Sequence, residues 1–230
     1  MNNWSGIIQD WLYPPTCLLC GDPGTAGRDL CRPCAESLPY NLTPCPRCGL
    51  TLSVSQTVDC GRCQRHPPAF DATFAPFRYE EPVRHLIHAL KFRANYPSAR
   101  LLGQLMAEAL TGVKNKPALL LPVPLHPSRY RERGFNQAAE VARTLSRQLH
   151  IPLDPCCCAR ARATQPQAEL PAKERLRNLK KAFRIIAAPR ASHVAIVDDV
   201  VTTGTTVNEL AKVLKAAGVE RIDVWACARA

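Results

Sequence analysis

The sequence predicts an α/β protein: a parallel sheet flanked by helices, preceded by a small cysteine-rich module. Three observations lead there. Short apolar runs at 118–123 and 194–197 each pass through an irregular turn into a helical pattern, the repeat of a parallel sheet. Four Cys-x-x-Cys pairs crowd into the first 63 residues. No run of 18 apolar residues occurs, so no transmembrane helix and no membrane insertion are expected.

Residues 4–12, WSGIIQDWL, place Trp4, Ile7, Ile8, Trp11 and Leu12 on one helical face. This short helix is expected to pack on its own protein. The alternative is a membrane or partner surface, although its polar face carries no Lys or Arg. The cysteine array follows: Cys17-x2-Cys20, Cys31-x2-Cys34, Cys45-x2-Cys48 and Cys60-x2-Cys63. Each pair forms a knuckle that offers two thiolates, and two knuckles complete a tetrahedral zinc site. The first and third knuckles end in Gly and the second and fourth do not, which marks a tandem repeat, Cys17–Cys34 and Cys45–Cys63. Sequential pairing with one structural zinc per repeat is therefore expected. A cross-braced pairing, first with third and second with fourth, stays open. With all four positions filled by Cys, no coordination site remains for catalysis, and the metal supplies folding free energy to a segment poor in large apolar residues.

His66-Pro67-Pro68 reads as a linker, dividing the chain into 1–66 and 67–230. Residues 72–79 look like a strand, and Val83 to Phe92 like a helix with Val83, Leu86, Ile87 and Leu90 inward. Lys91 falls at its basic C-terminal end, and His85 and His88 read as surface positions. Residues 99–111 give another helix. Ala118 to Val123 is a buried strand that runs into a long loop carrying Arg129, Arg131 and Arg133, and a helix spans Gln137 to Leu149. Arginine is suited to a forked grip on phosphate oxygens. Cys156-Cys157-Cys158 lacks metal-ligand spacing and reads as strand. Arg221 to Ala228 reads as a further strand with Cys227 buried.

The most informative stretch is 193–210, HVAIVDDVVTTGTTVNEL. A strand, Val194 to Val197, ends at Asp198 and Asp199. Thr202-Thr203-Gly204-Thr205-Thr206 then lead into a helix from Val207 to Ala217, closed by Gly218. Unpaired amides and the dipole of a helix N-terminus attract anions, and Thr hydroxyls donate to phosphate oxygens. The acids suit ribose hydroxyls, or a cation bridging to phosphate. Neither a Walker loop nor a dinucleotide fingerprint is present. The bland alternative, a turn with a capping Thr, requires neither the acid pair nor the four threonines.

This order of strand, Asp-Asp and Thr-Thr-Gly-Thr-Thr resembles the phosphoribosyl pyrophosphate (PRPP) loop of type I phosphoribosyltransferases. PVPLHPSRYRERGFNQ, at 122–137, is similar to the signature loop of the ComF family. The cysteine-rich double ribbon, LIHALKF and ERLRNLKKAF also resemble that family, most closely its GntX type, linked to use of DNA as a nutrient. The resemblance implies a type I phosphoribosyltransferase-like sheet behind a double zinc ribbon. It places Asp198 and Asp199 on the PRPP ribose hydroxyls, Thr202 to Thr206 on the 5′-phosphate and Pro124–Arg133 toward pyrophosphate, with Mg²⁺ accompanying PRPP. The polar, basic segment 160–183 resembles the flexible hood of phosphoribosyltransferases, with Arg162, Arg175 and Asn178 as candidate ligand contacts.

Charge is unevenly placed. The chain carries +11, but residues 1–66 hold five Lys/Arg against five Asp/Glu, whereas 126–190 hold fourteen against five. The positive field thus surrounds the candidate phosphate segments and suits a pyrophosphate-bearing ligand or a nucleic-acid backbone. Two functions remain in view. One is Mg²⁺-assisted phosphoribosyl transfer to an unidentified acceptor. The other is a non-catalytic protein that senses PRPP or binds single-stranded DNA, acting with DNA-processing partners. Aromatics near the basic stretch are few (Tyr130, Phe135 and Phe183), so DNA binding is expected to be mainly electrostatic. The N-terminal stretch has no basic n-region, and a cytoplasmic location is expected.

Overall fold

A computed structural model describes residues 14–25, 27–54, 58–161 and 182–230. The expected helix at 4–12 lies outside the described residues. Two short helices belong to the cysteine module, α1 (Arg32–Glu36) and α2 (Gly61–Arg65). Each starts on the first cysteine of its knuckle, with Cys31 and Cys60 as extended N-caps.

The α/β part runs β1 (Ala72–Phe74), β2 (Phe77–Arg78), α3 (Val83–Arg93), α4 (Tyr96–Ala109), β3 (Leu119–Pro122), α5 (Pro127–Arg133), α6 (Gln137–Leu149), β4 (Cys158–Arg160), β5 (Phe183–Ile185), β6 (His193–Val201), α7 (Thr205–Ala216) and β7 (Arg221–Arg229). The sheet order is β1-β7-β6-β3, with β2 also on β7, and every pair is parallel. A parallel sheet must be covered on both faces. One face is packed by α3, α4 and α6, where Leu86, Leu90, Leu102, Met106, Val141 and Leu145 meet Ala195, Val197 and Trp225. Against the other face lies α7, where Val207, Leu210 and Leu214 meet Val194, Ile196 and Val224. The antiparallel ribbon β4–β5 stands outside this sheet and borders the candidate hood.

Four sequence expectations need correction. The strand expected over 72–79 is two strands, broken where Pro76 offers no amide to the ladder. The loop after β3 contains α5, which begins on Pro127 behind the ring of His126 as N-cap and closes on Gly134 at φ 78°. In the triple cysteine only Cys158 is strand; Cys156 and Cys157 form a turn whose amides are both taken by the Asp154 carboxylate. Finally, β6 does not stop before the acids. Its apolar pattern ends at Val197, but β7 continues to pair with it as far as Val201–Arg229.

The linker position marks no gap in packing. Cys17, Leu30, Cys31 and Leu38 of the cysteine module lie in the same core as Phe77, Leu101 and Leu105.

Candidate functional site

The site forms where β6 outruns β3. Pro122, the last residue of β3, pairs with Val197, while β7 runs on beside β6 to Arg229. The two acids therefore keep strand backbone on the β7 side and lose their neighbour on the other. Ligands of parallel α/β sheets bind at such carboxyl ends.

Successive strand residues face opposite sides, and the two acids accordingly meet different partners. Asp199 turns toward α3 and α6 and is 3% exposed. Its carboxylate is ion-paired with Lys91 and accepts a hydrogen bond from Gln137 Nε2 at 3.3 Å. Burial opposes its charge, but the Lys91 ammonium outweighs burial and holds the carboxyl below its usual range. The same pairing raises Lys91, again against burial. Asp198 faces the other side. It lines a small, open hollow together with Val200, Val201 and the loop Thr202–Val207. Its Oδ1 accepts the amide of Asp199 at 2.9 Å. Burial, and then the Asp199 charge, push its carboxyl well above the usual range.

The loop bordering this hollow is shaped by Gly204, the N-cap of α7, at φ 77° and ψ 1°, a left-handed conformation that glycine adopts without steric cost. A glycine cap brings no side-chain acceptor, and none caps α7. Among the described residues the Thr205 amide reaches only Thr203 Oγ1, at 3.4 Å, and a helix start without a cap side chain suits an anion. Thr203 Oγ1 and Thr205 Oγ1 lie 2.8 Å apart, so the hydroxyls already form one surface.

The three loop arginines separate. Arg133 Nη1 donates to Gln137 Oε1 at 2.9 Å, and Gln137 reaches Asp199, so Arg133 is tied to the acid pair. Arg129 pairs with Glu132 at 2.8 Å, and Arg131 is exposed. Arg162, Arg175 and Asn178 lie outside the described residues. The sequence reading missed Lys91, Gln137 and Arg160. Arg160, at the end of β4, is drawn electrostatically to Asp198 and repelled by Arg129, while burial lowers its pKa. A lysine one turn-end from an apolar helical face, in LIHALKF, was the available signal for the first of these.

The cysteines gather as the repeat predicts. Cys17, Cys20, Cys31 and Cys34 form one group and Cys45, Cys48, Cys60 and Cys63 the other, with sulfurs within 4.8 Å of one another in each. Zn–S bonds of about 2.3 Å set tetrahedral sulfurs roughly 3.8 Å apart. Cys20 and Cys31 stand at 3.5 Å, and Cys48 and Cys60 at 3.8 Å. In the first group burial opposes charge on Cys17, but backbone amides outweigh it and hold that thiol at about 6. The Cys34 thiol, hydrogen-bonded with Cys31 and partly desolvated, is pushed up to about 11. Four sulfurs this close accept further negative charge only beside a cation, and the donor set fits Zn²⁺.

Comparison with known proteins agrees with both halves. A double zinc ribbon family matches residues 8–64, and a phosphoribosyl transferase domain family matches residues 133–229. The chain is 38% identical to "DNA utilization protein YhgH" of Escherichia coli K12, over 94% of this chain and 97% of that one. It is 37% identical to "Competence protein F" of Haemophilus influenzae, over 93% and 96%. It is 24% identical to "Competence protein ComFC" of Streptococcus pneumoniae, over 80% of each. Among the described residues no helix is long and apolar enough to cross a membrane. Two groups of four cysteines in front of a parallel sheet, matched along nearly their whole length by these relatives, place the chain in the ComF family of DNA-utilisation and competence proteins, a double zinc ribbon joined to a phosphoribosyltransferase-type domain.

Proposed function

We propose that this protein binds PRPP with Mg²⁺ in the hollow beside Asp198 and serves DNA uptake or utilisation. One observation carries the reading. An acid lines the same hollow as a Thr-rich loop with a left-handed glycine at a helix start that has no cap side chain. Thr202 to Thr206 hold the 5′-phosphate through amides and hydroxyls. Asp198 meets the ribose hydroxyls or Mg²⁺, which takes oxygen ligands and usually combines one carboxylate with substrate phosphates. Asp199, held by Lys91 and Gln137, fixes the end of β6 rather than touching ligand. Of the α5 arginines, Arg133, tied to the acid pair through Gln137, serves the pyrophosphate. Mg²⁺ held through Asp198 would supply positive charge to a departing pyrophosphate, while the protein's own residues supply placement and exclusion of water. The acceptor pocket is unassigned.

Calorimetric titration with PRPP, with and without Mg²⁺, tests binding. Pyrophosphate release with a panel of bases tests transfer. Saturable binding without release supports a PRPP sensor; no binding overturns the reading.

A second reading, binding of single-stranded DNA, is favoured by one surface. Phe92, Tyr96 and Tyr130 are 64%, 49% and 52% exposed. Arg133 lies 5.4 Å from the Phe92 ring centroid. The sequence reading counted Phe135 and Phe183 as available aromatics; both are buried, and Phe92 and Tyr96 take their place. Exposed rings among arginines suit bases that stack and phosphates that pair. Salt-dependent retention of an oligonucleotide tests it.

A further inference from the structure

We propose that Arg229 and Arg62 carry the state of the second four-cysteine group to the phosphate loop, so that zinc occupancy and PRPP affinity are coupled. The proposal rests on the PRPP reading above.

Arg229 ends β7 and is 6% exposed. Its Nε donates to the Cys48 carbonyl at 3.0 Å. Its Nη1 donates to the Val201 carbonyl at 3.0 Å and also to the Thr202 and Ala230 carbonyls. One guanidinium thus joins a metal-ligand residue to the start of the phosphate loop. The other knuckle of the same group makes a second connection, since Arg62, between Cys60 and Cys63, donates to the Thr203 carbonyl at 3.4 Å.

The consequence follows from peptide geometry. In a trans peptide the carbonyl and the next N–H point in opposite directions. Holding the carbonyls of 201, 202 and 203 toward the arginines directs the amides of 202, 203 and 204 away from them. Those are amides of the loop that borders the hollow.

The connection is stiff at its metal end. The carbonyls of Pro46 and Arg47 accept from Thr73 N at 3.1 Å and Thr73 Oγ1 at 2.7 Å. Gly49, at φ 70°, sits so close that a Cβ there would lie 2.8 Å from Thr73 Cγ2. A knuckle that shifts on losing its metal displaces the Cys48 carbonyl, and with it the partner of Arg229. The first four-cysteine group has no such route among the described residues. It docks on α4 through Arg28–Glu108 and Arg100–Asp29.

The test uses the full-length, zinc-loaded chain. Arg229→Lys keeps the charge and loses the fork; Arg62→Gln alters an exposed side chain and spares the fold. Three quantities are measured: PRPP affinity with Mg²⁺, amide hydrogen exchange over 202–206, and zinc release to a chelator with and without PRPP. Coupling between two sites is reciprocal. In the native chain PRPP is therefore expected to slow zinc release. Arg229→Lys is expected to weaken PRPP binding about tenfold, the scale of one lost charge-assisted hydrogen bond, and to abolish that protection. Arg62→Gln is expected to show a smaller loss of both with unchanged zinc content. Unchanged affinity, exchange and zinc release in both variants overturn the proposal. If the native chain binds no PRPP, the binding reading fails by itself. The coupling is then decided by whether zinc removal, or Arg229→Lys, accelerates exchange at 202–206.

Discussion

Lys91, in the last turn of α3, is ion-paired with Asp199 of β6, whose side chain is almost fully enclosed. The pair joins a helix on one face of the sheet to the strand that carries the candidate site. Removing one partner of a buried ion pair leaves an uncompensated charge, which costs more than the pair contributes.

Lys91→Met is therefore expected to destabilise the protein by about 3 kcal/mol or more, read from urea unfolding. Adding Asp199→Asn should recover much of that loss. The Asp199 carboxyl is held below its usual range, so its contribution to stability is present above the unfolded value of about 3.9 and disappears as pH falls through the lower folded value. In the double variant this acid-limb dependence should be absent. A Lys91→Met protein as stable as the native one would show that the pair has no structural role.

Asp198 has the opposite sign. Burial and the neighbouring charge push its carboxyl up, so the folded state holds this proton more tightly than the unfolded one. Its contribution is full below about pH 3.9 and is lost as pH rises through the folded value. Above the unfolded value, keeping this acid in its buried place thus costs stability, and Asp198→Asn should raise the Tm by a few degrees while weakening PRPP binding. In the native chain affinity should rise with pH, by at most about tenfold per unit, across this titration. The slope should vanish in Asp198→Asn. A Tm and a slope both unchanged would place the acid outside the site.

The elements that sequence revealed are those whose pattern is repeated locally. The apolar face of α6 at Ala138, Val141, Ala142 and Leu145 and the alternating knuckles needed no tertiary information. The site itself was half legible. Asp198, Gly204 and the threonines lie within one turn of chain, so their spacing announces them. Lys91 and Gln137 reach Asp199 from distant parts of the chain; the apolar helical face beside Lys91 places that lysine near the core, but it does not name the acid that pairs with it. The extent of β6 was hidden for a related reason. The acids interrupt its hydrophobic run, and only the length of β7 beside it keeps the ladder going. The exposed ring of Phe92 agrees with its place off the inward face set by Val83, Leu86, Ile87 and Leu90; what the helix pattern does not show is the Arg133 guanidinium beside it.

The two cysteine groups make a countable prediction. Metal analysis should give two zinc per chain. Cys20 and Cys34 are the less buried ligands of the first group, so replacing both with Ser perturbs the core least. Sequential pairing places them in one site, and Cys20→Ser/Cys34→Ser should retain one zinc. A cross-braced protein would lose both, since the two residues would then belong to different sites.

The surface around α5 separates stacking from charge. Retention of a single-stranded oligonucleotide should weaken in Phe92→Ala/Tyr96→Ala without a change in salt slope, because bases stack on rings irrespective of ionic strength. Arg129→Ala/Arg133→Ala should instead flatten the slope of log affinity against log salt by about 0.7 for each phosphate that is no longer neutralised. Arg133 also meets Gln137, the residue that reaches Asp199, so its removal should lower PRPP affinity too. Arg129 pairs with Glu132, and the corresponding single variant should affect the oligonucleotide more than PRPP. If both double variants retain DNA as the native protein does, the basic face serves the small ligand alone, and the aromatic cluster owes its exposure to something other than nucleic acid.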